Sequence, residues 1–493
     1  MNISRWRRSM ADWANIPVPQ ARYSLLLDPT KTSRKGFFER NKWILFALSS
    51  CLMLLTTLWL MFVHVNSEGL LYPHDRSLKR IPEHWIRRAV KYSSFNQTTY
   101  NRTIDFNLDV PQNVTPSATE FKLVCYYALP AEAEIFLRLY PEGLNASLCT
   151  HINIAFATIR NNSIYLNPKQ AKNCRAIVDL KLENPDLQVL ISVGGAGDVN
   201  GFIKMVLNHA NRKQFIKSVL DLMKEFKFDG VDLDWEFPGN NSTERMHFTQ
   251  LLHEIREEID RQEKHRFLLT VAVGAPIFII DTSYDVSYIN RYVDFVNLMS
   301  YDYHFYTKVT PFTGMNSPLY ARDDDFLYLA TMNINYSAHY WLHKGLDREK
   351  LVIGLPTYGH SFRLINSANN GIMAPCHGYG NLGLNGFTSY SEVCMFLSKN
   401  KITPIFDMDT RSPYATRNHE WVSYDDLQSI TYKTEYVRNN NFGGVMLFAL
   451  NTDDHKGVCD GKTKFPLTWK VKEVLERKNE MSKVQDISDN FNP

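Results

Sequence analysis

Residues 228–237 read FDGVDLDWEF. Asp229, Asp232, Asp234 and Glu236 place four carboxylates in ten residues, and Phe228, Val231, Leu233 and Trp235 fill the positions between them. Side chains alternate along an extended strand, so Asp232, Asp234 and Glu236 share one face and Val231, Leu233 and Trp235 the other. Successive members of one face lie about 6–7 Å apart. A carboxylate buried without partners costs several kcal/mol or takes up a proton. Three in one column compete for charge, so at least one is expected to hold a proton near neutral pH. That arrangement suits an acid catalyst and does nothing for stability. The column would titrate as a unit. Three plainer explanations fit less well. A calcium loop of the EF-hand kind needs a glycine at its sixth position between two helices. A metal hydrolase needs a nearby pair of histidines at ligand spacing. A solvated acidic strand would not alternate with large apolar residues.

A strand that hides its apolar half needs covered neighbours, and the sequence supplies them. Eight short apolar, β-branched runs recur: 122–127, 151–157, 188–195, 228–237, 266–276, 294–302, 350–359 and 443–451. Most are apolar almost throughout, as strands covered on both faces are. Amphipathic stretches separate them; in 212–227, Phe215, Val219, Leu222, Met223 and Phe226 follow helical spacing. Eight strand–helix alternations predict an α/β fold of the (β/α)₈ TIM-barrel type. The other candidate is a doubly wound open sheet, but no G-x-G-x-x-G or G-K-[ST] follows an early strand. In a barrel, the acidic face points inward and Glu236 comes last, toward the C-terminal rim where barrel active sites form. The longest interval, 360–425, is rich in Gly, Asn, Tyr and Ser and predicts a small α+β insertion between strands seven and eight.

The chain has 493 residues, 44% of them hydrophobic, and a net charge of +3, so nothing in the bulk charge points to nucleic acid. The charge is uneven. Residues 1–42 carry nine basic residues against three acidic ones. The run from Trp43 to Val65 then contains no Asp, Glu, Lys or Arg and is long enough for a bilayer, which takes about 20 apolar residues. A cleaved signal peptide has a shorter basic start and apolar run, and a buried core helix is the remaining alternative. The expectation is a single-pass signal-anchor helix in the lipid bilayer, preceded by a cytosolic segment at 1–42 and followed by a stem at 66–119. The catalytic barrel would occupy 120–475, outside the cell or in the secretory lumen, with a polar tail at 476–493. Asn96, Asn101, Asn113, Asn145, Asn161, Asn240, Asn241 and Asn335 head N-glycosylation sequons. Six of the seven cysteines lie beyond the apolar run, an even number suited to an oxidising compartment.

The segment DGVDLDWE matches the D-x-x-D-x-D-x-E signature of glycoside hydrolase family 18, the chitinase family, which the chain resembles from about Lys122 to about Leu475. LVCYY with LCTHINIAFA, SVGG, NLMSYDYH, TGMNSPLY, GLPTYGHSF and GGVMLFALNTDD resemble further family segments. The nearest picture is a membrane-anchored member of the arthropod kind. The resemblance implies endo-acting hydrolysis of β-1,4-linked N-acetylglucosamine in chitin or its oligosaccharides. The sugar's own N-acetyl oxygen would be the nucleophile, giving an oxazolinium intermediate, with no metal or cofactor. It implies Glu236 as acid and then base, Asp234 holding a proton or sharing one with Asp232 and turning to the acetamido N–H, and Tyr301 donating to the acetamido oxygen. Asp302 would contact the sugar, and Met299, Tyr358, Phe448, Tyr126 and Phe156 would form pocket walls, with a plain barrel-core role as the alternative for Tyr126, Phe156, Met299 and Tyr358. Asp229 and Gly230 would support the strand. Family positions suggest the disulfides Cys125–Cys149 and Cys394–Cys459 and leave Cys174 and Cys376 unassigned. The sequence departs from the family at Ala196 and Phe448, where tryptophan is usual, at Phe237 in place of tyrosine, and at His360 in place of arginine. A chitinase-like lectin that binds oligosaccharides without turnover is the competing reading. Cleavage of the chitobiose core of glycoproteins is a third.

Overall fold

The computed structural model describes residues 121–130, 138–239, 242–262 and 264–477. The basic segment 1–42, the apolar run 43–65, the stem and most of the tail lie outside these residues, as do Asn96, Asn101, Asn113, Asn240 and Asn241. Among the described residues no helix is long and apolar enough to cross a membrane.

The strands in chain order are β1 (Lys122–Ala128), β2 (His151–Arg160), β3 (Ser163–Tyr165), β4 (Gln188–Gly194), β5 (Gly230–Asp234), β6 (Leu268–Gly274), β7 (Phe295–Met299) and β8 (Leu351–Pro356). They continue with β9 (Tyr358–Leu364), β10 (Cys376–Tyr379), β11 (Phe387–Ser389), β12 (Ile405–Asp407), β13 (Ser412–Arg417), β14 (Glu420–Ser423) and β15 (Gly444–Phe448). Eight of them, β1, β2, β4, β5, β6, β7, β8 and β15, pair in parallel, and the β1–β2 and β1–β15 ladders close the ring. These eight coincide with the eight apolar runs of the sequence. β3 turns back as a hairpin on β2.

The alternation in β5 sorts its residues as the sequence requires. Val231 and Leu233 are buried among the helices outside the barrel, whereas Asp232 points into the interior and meets residues of four other strands. Trp235 continues the outer face: its ring stacks on Phe202 at 5.2 Å and meets the edge of Phe248 at 5.8 Å. Burying a side chain of that size contributes about 2–3 kcal/mol. It locks β5 to the helices Val199–Val206 and Ser242–Asp260. The preceding helix, His209–Phe226, is started by Asn208, whose side chain accepts the N–H of Asn211, and ends at Lys227 in the left-handed conformation. Its apolar stripe, including Phe215, Val219, Met223 and Phe226, covers the barrel wall.

Between β8 and β15 the chain leaves the barrel. There β9 to β14 build a six-stranded antiparallel sheet, ordered β10-β9-β14-β13-β12 with β11 on β9, flanked by the helix Tyr390–Asn400. The insertion therefore starts at Tyr358, two residues before the boundary expected from composition. Cys125 bonds to Cys149 beside the barrel, and Cys394 to Cys459 ties the insertion helix to the loop after β15. Cys174 and Cys376 are buried free thiols.

Candidate active site

The carboxylate column occupies the barrel axis. Asp232, fully buried, accepts four hydrogen bonds: from Tyr126 at 2.7 Å, Ser192 at 2.6 Å, Thr270 at 2.6 Å and Asn297 at 3.2 Å. The four donors come from β1, β4, β6 and β7, so the strands around the barrel converge on one anion. Burial pushes the Asp232 carboxyl up, and these four bonds oppose the push. Two residues on, Asp234 has no such support. Its Oδ1 is buried without a hydrogen-bond partner among the described residues. Burial, then the Glu236 and Asp232 charges, raise it well above the usual carboxylate range. Of the two aspartates, Asp232 is built to carry the charge and Asp234 the proton.

Glu236 lies just past the end of β5, at the C-terminal rim. Burial and then the Asp302 charge push it up to about 8. It stands in a cleft of about 710 Å³ with Asp234, Met299, Tyr301, Asp302 and Phe448. The Tyr301 hydroxyl makes one weak hydrogen bond among the described residues, to the Met446 sulfur at 3.9 Å. Asp302 has a positive φ of 59°, a conformation that aspartate tolerates better than most residues. Its amide N–H donates to Asn316 Oδ1 at 2.9 Å. Asp302 Oδ1 takes the Tyr358 hydroxyl at 2.6 Å and lies 2.7 Å from His360 Nε2. Both partners come from β9, the first strand of the insertion.

Three residues expected as walls stand behind the pocket instead. Tyr126 is buried and spends its hydroxyl on Asp232. Tyr358 is buried and spends its hydroxyl on Asp302. Phe156 packs toward Tyr126 at 6.4 Å, and a Cβ added at Gly195 would lie 2.6 Å from its ring. Met299 and Phe448 do line the cleft. Ala196, Phe237, Pro276, Ile279 and Phe305 complete it. Nothing in the sequence singles out Pro276, Ile279 or Phe305: Pro276 caps and Ile279 lies within the short helix Ile277–Ser283 after β6, and Phe305 is in the loop after β7. Ser192, Thr270 and Asn297 did carry a signal: each is a polar residue within an apolar strand.

Asp229 and Gly230 lie at the other end of β5. Asp229 takes the Val189 N–H at 2.8 Å and the Lys181 ammonium at 2.6 Å, which pins β4 to β5. Gly230 lets β6 approach closely. Of the sequon residues in view, Asn145 and Asn161 are exposed. Asn335 is not an open acceptor: it is half-buried in the helix Ile334–His343 and its Oδ1 takes the Tyr436 hydroxyl at 3.0 Å.

Comparison with known proteins identifies the family and the fold. The family described as Glycosyl hydrolases family 18 matches residues 122–453. Human Chitinase-3-like protein 2 is 37% identical over 366 residues, covering 72% of this chain and 93% of the relative. Two solved structures are similar in fold. An immunomodulatory active chitinase from Trichuris suis has TM-score 0.68 and 33% identity, over 72% of this chain and all of that one. Human YKL-39, a pseudo-chitinase with retained chitooligosaccharide binding properties, has TM-score 0.69 and 35% identity over the same shares.

Proposed function

The chain belongs to glycosyl hydrolase family 18, and from that membership we propose that it is a working, endo-acting chitinase that cleaves β-1,4-linked N-acetylglucosamine polymers or oligomers. The observation that carries the reading is the pairing of Glu236, pushed up to about 8, with Asp234, an aspartic acid that lacks any donor for its buried Oδ1. At neutral pH Glu236 holds a proton in the cleft, as a general acid must. Family 18 departs from the usual pair of catalytic carboxylates, because the substrate's acetamido oxygen attacks the anomeric carbon. Glu236 gives its proton to the leaving glycosidic oxygen. Asp234, protonated beside the anionic Asp232, turns to the acetamido N–H, and Tyr301 donates to the acetamido oxygen. Water, deprotonated by Glu236, then opens the oxazolinium ring with retention.

Glu236→Gln tests this directly. With a chromogenic chitooligosaccharide, turnover should fall at least about a thousandfold while the fold is kept. Undiminished turnover would refute the role of Glu236.

A chitinase-like lectin is the second reading, favoured by Ala196 in the cleft where the family usually places a stacking tryptophan. Binding of the oligosaccharide without release of chromophore by the unaltered protein would decide for it. Membrane anchoring through Trp43–Val65, with the barrel outside the cytosol, is part of the proposal. It is supported by the uncharged run and its basic N-terminal flank. Protease protection of a tagged N-terminus in sealed vesicles tests it.

A further inference from the structure

At the end of the barrel opposite the catalytic rim lies a second cleft, of about 720 Å³. Three segments converge on it at the N-terminal ends of β4, β5 and β6. They are the short helix Asp179–Leu182, the end of the helix His209–Phe226 with Lys227, and the loop entering β6. Lys181, Lys224, Lys227, Lys264 and Arg266 line it, and among the described residues Asp229 is the single acidic one in its lining. Asp229 is already spent, held by Lys181 through both carboxylate oxygens, at 2.6 and 2.8 Å, and by the Val189 N–H. Neighbouring acids are engaged elsewhere: Glu225 pairs with Arg175, and Glu257 and Glu258 with Arg261. Among the described residues no carboxylate forms an ion pair with Lys224, Lys227, Lys264 or Arg266.

Compensation of a helix dipole accounts for part of this. Lys224 and Lys227 sit at the C-terminal end of their helix, where cations are favoured. Lys264 and Arg266 belong to no helix end, yet they face the same cavity. Gathering like charges in a concave site is unfavourable unless an anion shares it. Arginine adds a planar fork matched to tetrahedral oxyanions. The apolar lining residues Met223, Phe228 and Phe267 are buried, so the site shows no exposed anchors for a bilayer. A single concavity, in a chain of net charge +3, is no track for a nucleic-acid strand. Exposed His265 lies over Phe267 at 5.5 Å, a flat surface at the cleft's edge.

We propose that this cleft is a second, non-catalytic binding site for a sulfated saccharide, with sulfate groups seated among Lys227, Lys264 and Arg266. Such a site would tether the barrel to an anionic glycan and leave the opposite rim free.

Fluorescence anisotropy of the purified full chain with a labelled, fully sulfated heparin hexasaccharide tests this. Binding should weaken steeply with salt. It should drop about tenfold in Lys264→Ala/Arg266→Ala, two charge-assisted contacts discounted for exposure. Melting temperature and chitooligosaccharide binding should not change in that variant, so the test does not depend on catalysis. The proposal is overturned by undetectable binding at low salt. It is equally overturned by unchanged affinity in the double variant, by equal affinity for the desulfated, N-acetylated hexasaccharide, or by tighter binding of a single-stranded oligonucleotide of matched charge.

Discussion

At the scale of single residues, the site works by dividing protons unequally among neighbouring acids. Asp232 has four donors that oppose the upward push of burial; Asp234 has an orphaned oxygen and is raised well above the usual carboxylate range; Glu236 is pushed up to about 8 by burial and Asp302. The proposed mechanism requires Glu236 protonated, so on that reading the basic limb of kcat/KM should fall at about pH 8, well above an ordinary glutamic acid. A limb near pH 5 in stopped assays across the range would contradict this. The same shift has a stability consequence. The folded value, about 8, lies above the unfolded value of about 4.3, so unfolding releases a proton between them. The group's stabilising contribution is complete below pH ~4 and is lost as pH rises to about 8. Glu236→Gln removes that loss. Its melting temperature should match the parent at pH ~4 and exceed it by about 2–4 °C at pH ~8.5. A lower melting temperature at the higher pH would mean that the charged form of Glu236 is stabilised in the folded protein.

At the scale of elements, β5 is a single strand with three functions along it: a brace at Asp229, an anion at Asp232 and an acid just past its end. Gly230 sits between the first two because β6 leaves no room. A Cβ there would lie 2.3 Å from the Leu268 carbonyl oxygen and 2.7 Å from Leu268 Cβ. Gly230→Ala should therefore destabilise by about 2–3 kcal/mol, read as a lower denaturant midpoint with unchanged slope. An unchanged midpoint would show that β6 can yield. This strand also shows how far the sequence could be read. Period-two alternation of acidic and apolar residues has one physical solution in a closed parallel barrel, and apolar runs mark the other seven strands. The ladder of donors to Asp232 was partly legible, since Ser192, Thr270 and Asn297 interrupt apolar strands, but their common target depends on the barrel's register. Tyr126 and Phe156 misled because an aromatic on an inward face reads the same whether it lines a cleft or backs it. Phe305 and Ile279 were illegible, since a loop path carries no period and a seven-residue helix is too short to show one.

At the scale of the whole molecule, the barrel and the insertion meet at the C-terminal rim, and Asn316 is one of the residues that join them. Asn316, buried in the loop after β7, accepts the Asp302 N–H at 2.9 Å and donates to the Tyr358 carbonyl on β9 at 3.0 Å. Its own N–H donates to Ser423 Oγ on β14, also at 3.0 Å. The insertion is thus more than an ornament. Through Tyr358 and His360 it sets the direction of Asp302, and the Asp302 charge in turn helps hold Glu236 up. Asn316→Ala keeps the bond to Ser423 but leaves the Asp302 N–H and the Tyr358 carbonyl unpaired, about 1–3 kcal/mol for each buried group. If the insertion acts on the site through this residue, KM should rise about tenfold, since Asp302 loses its hold. The basic limb should also move below pH 8, since its charge no longer bears on Glu236. A merely structural role would lower the melting temperature and leave the limb in place. Measuring the pH profile and the melting curve on the same preparation separates the two, because only a coupling between insertion and barrel changes the titration of a carboxyl that Asn316 does not touch.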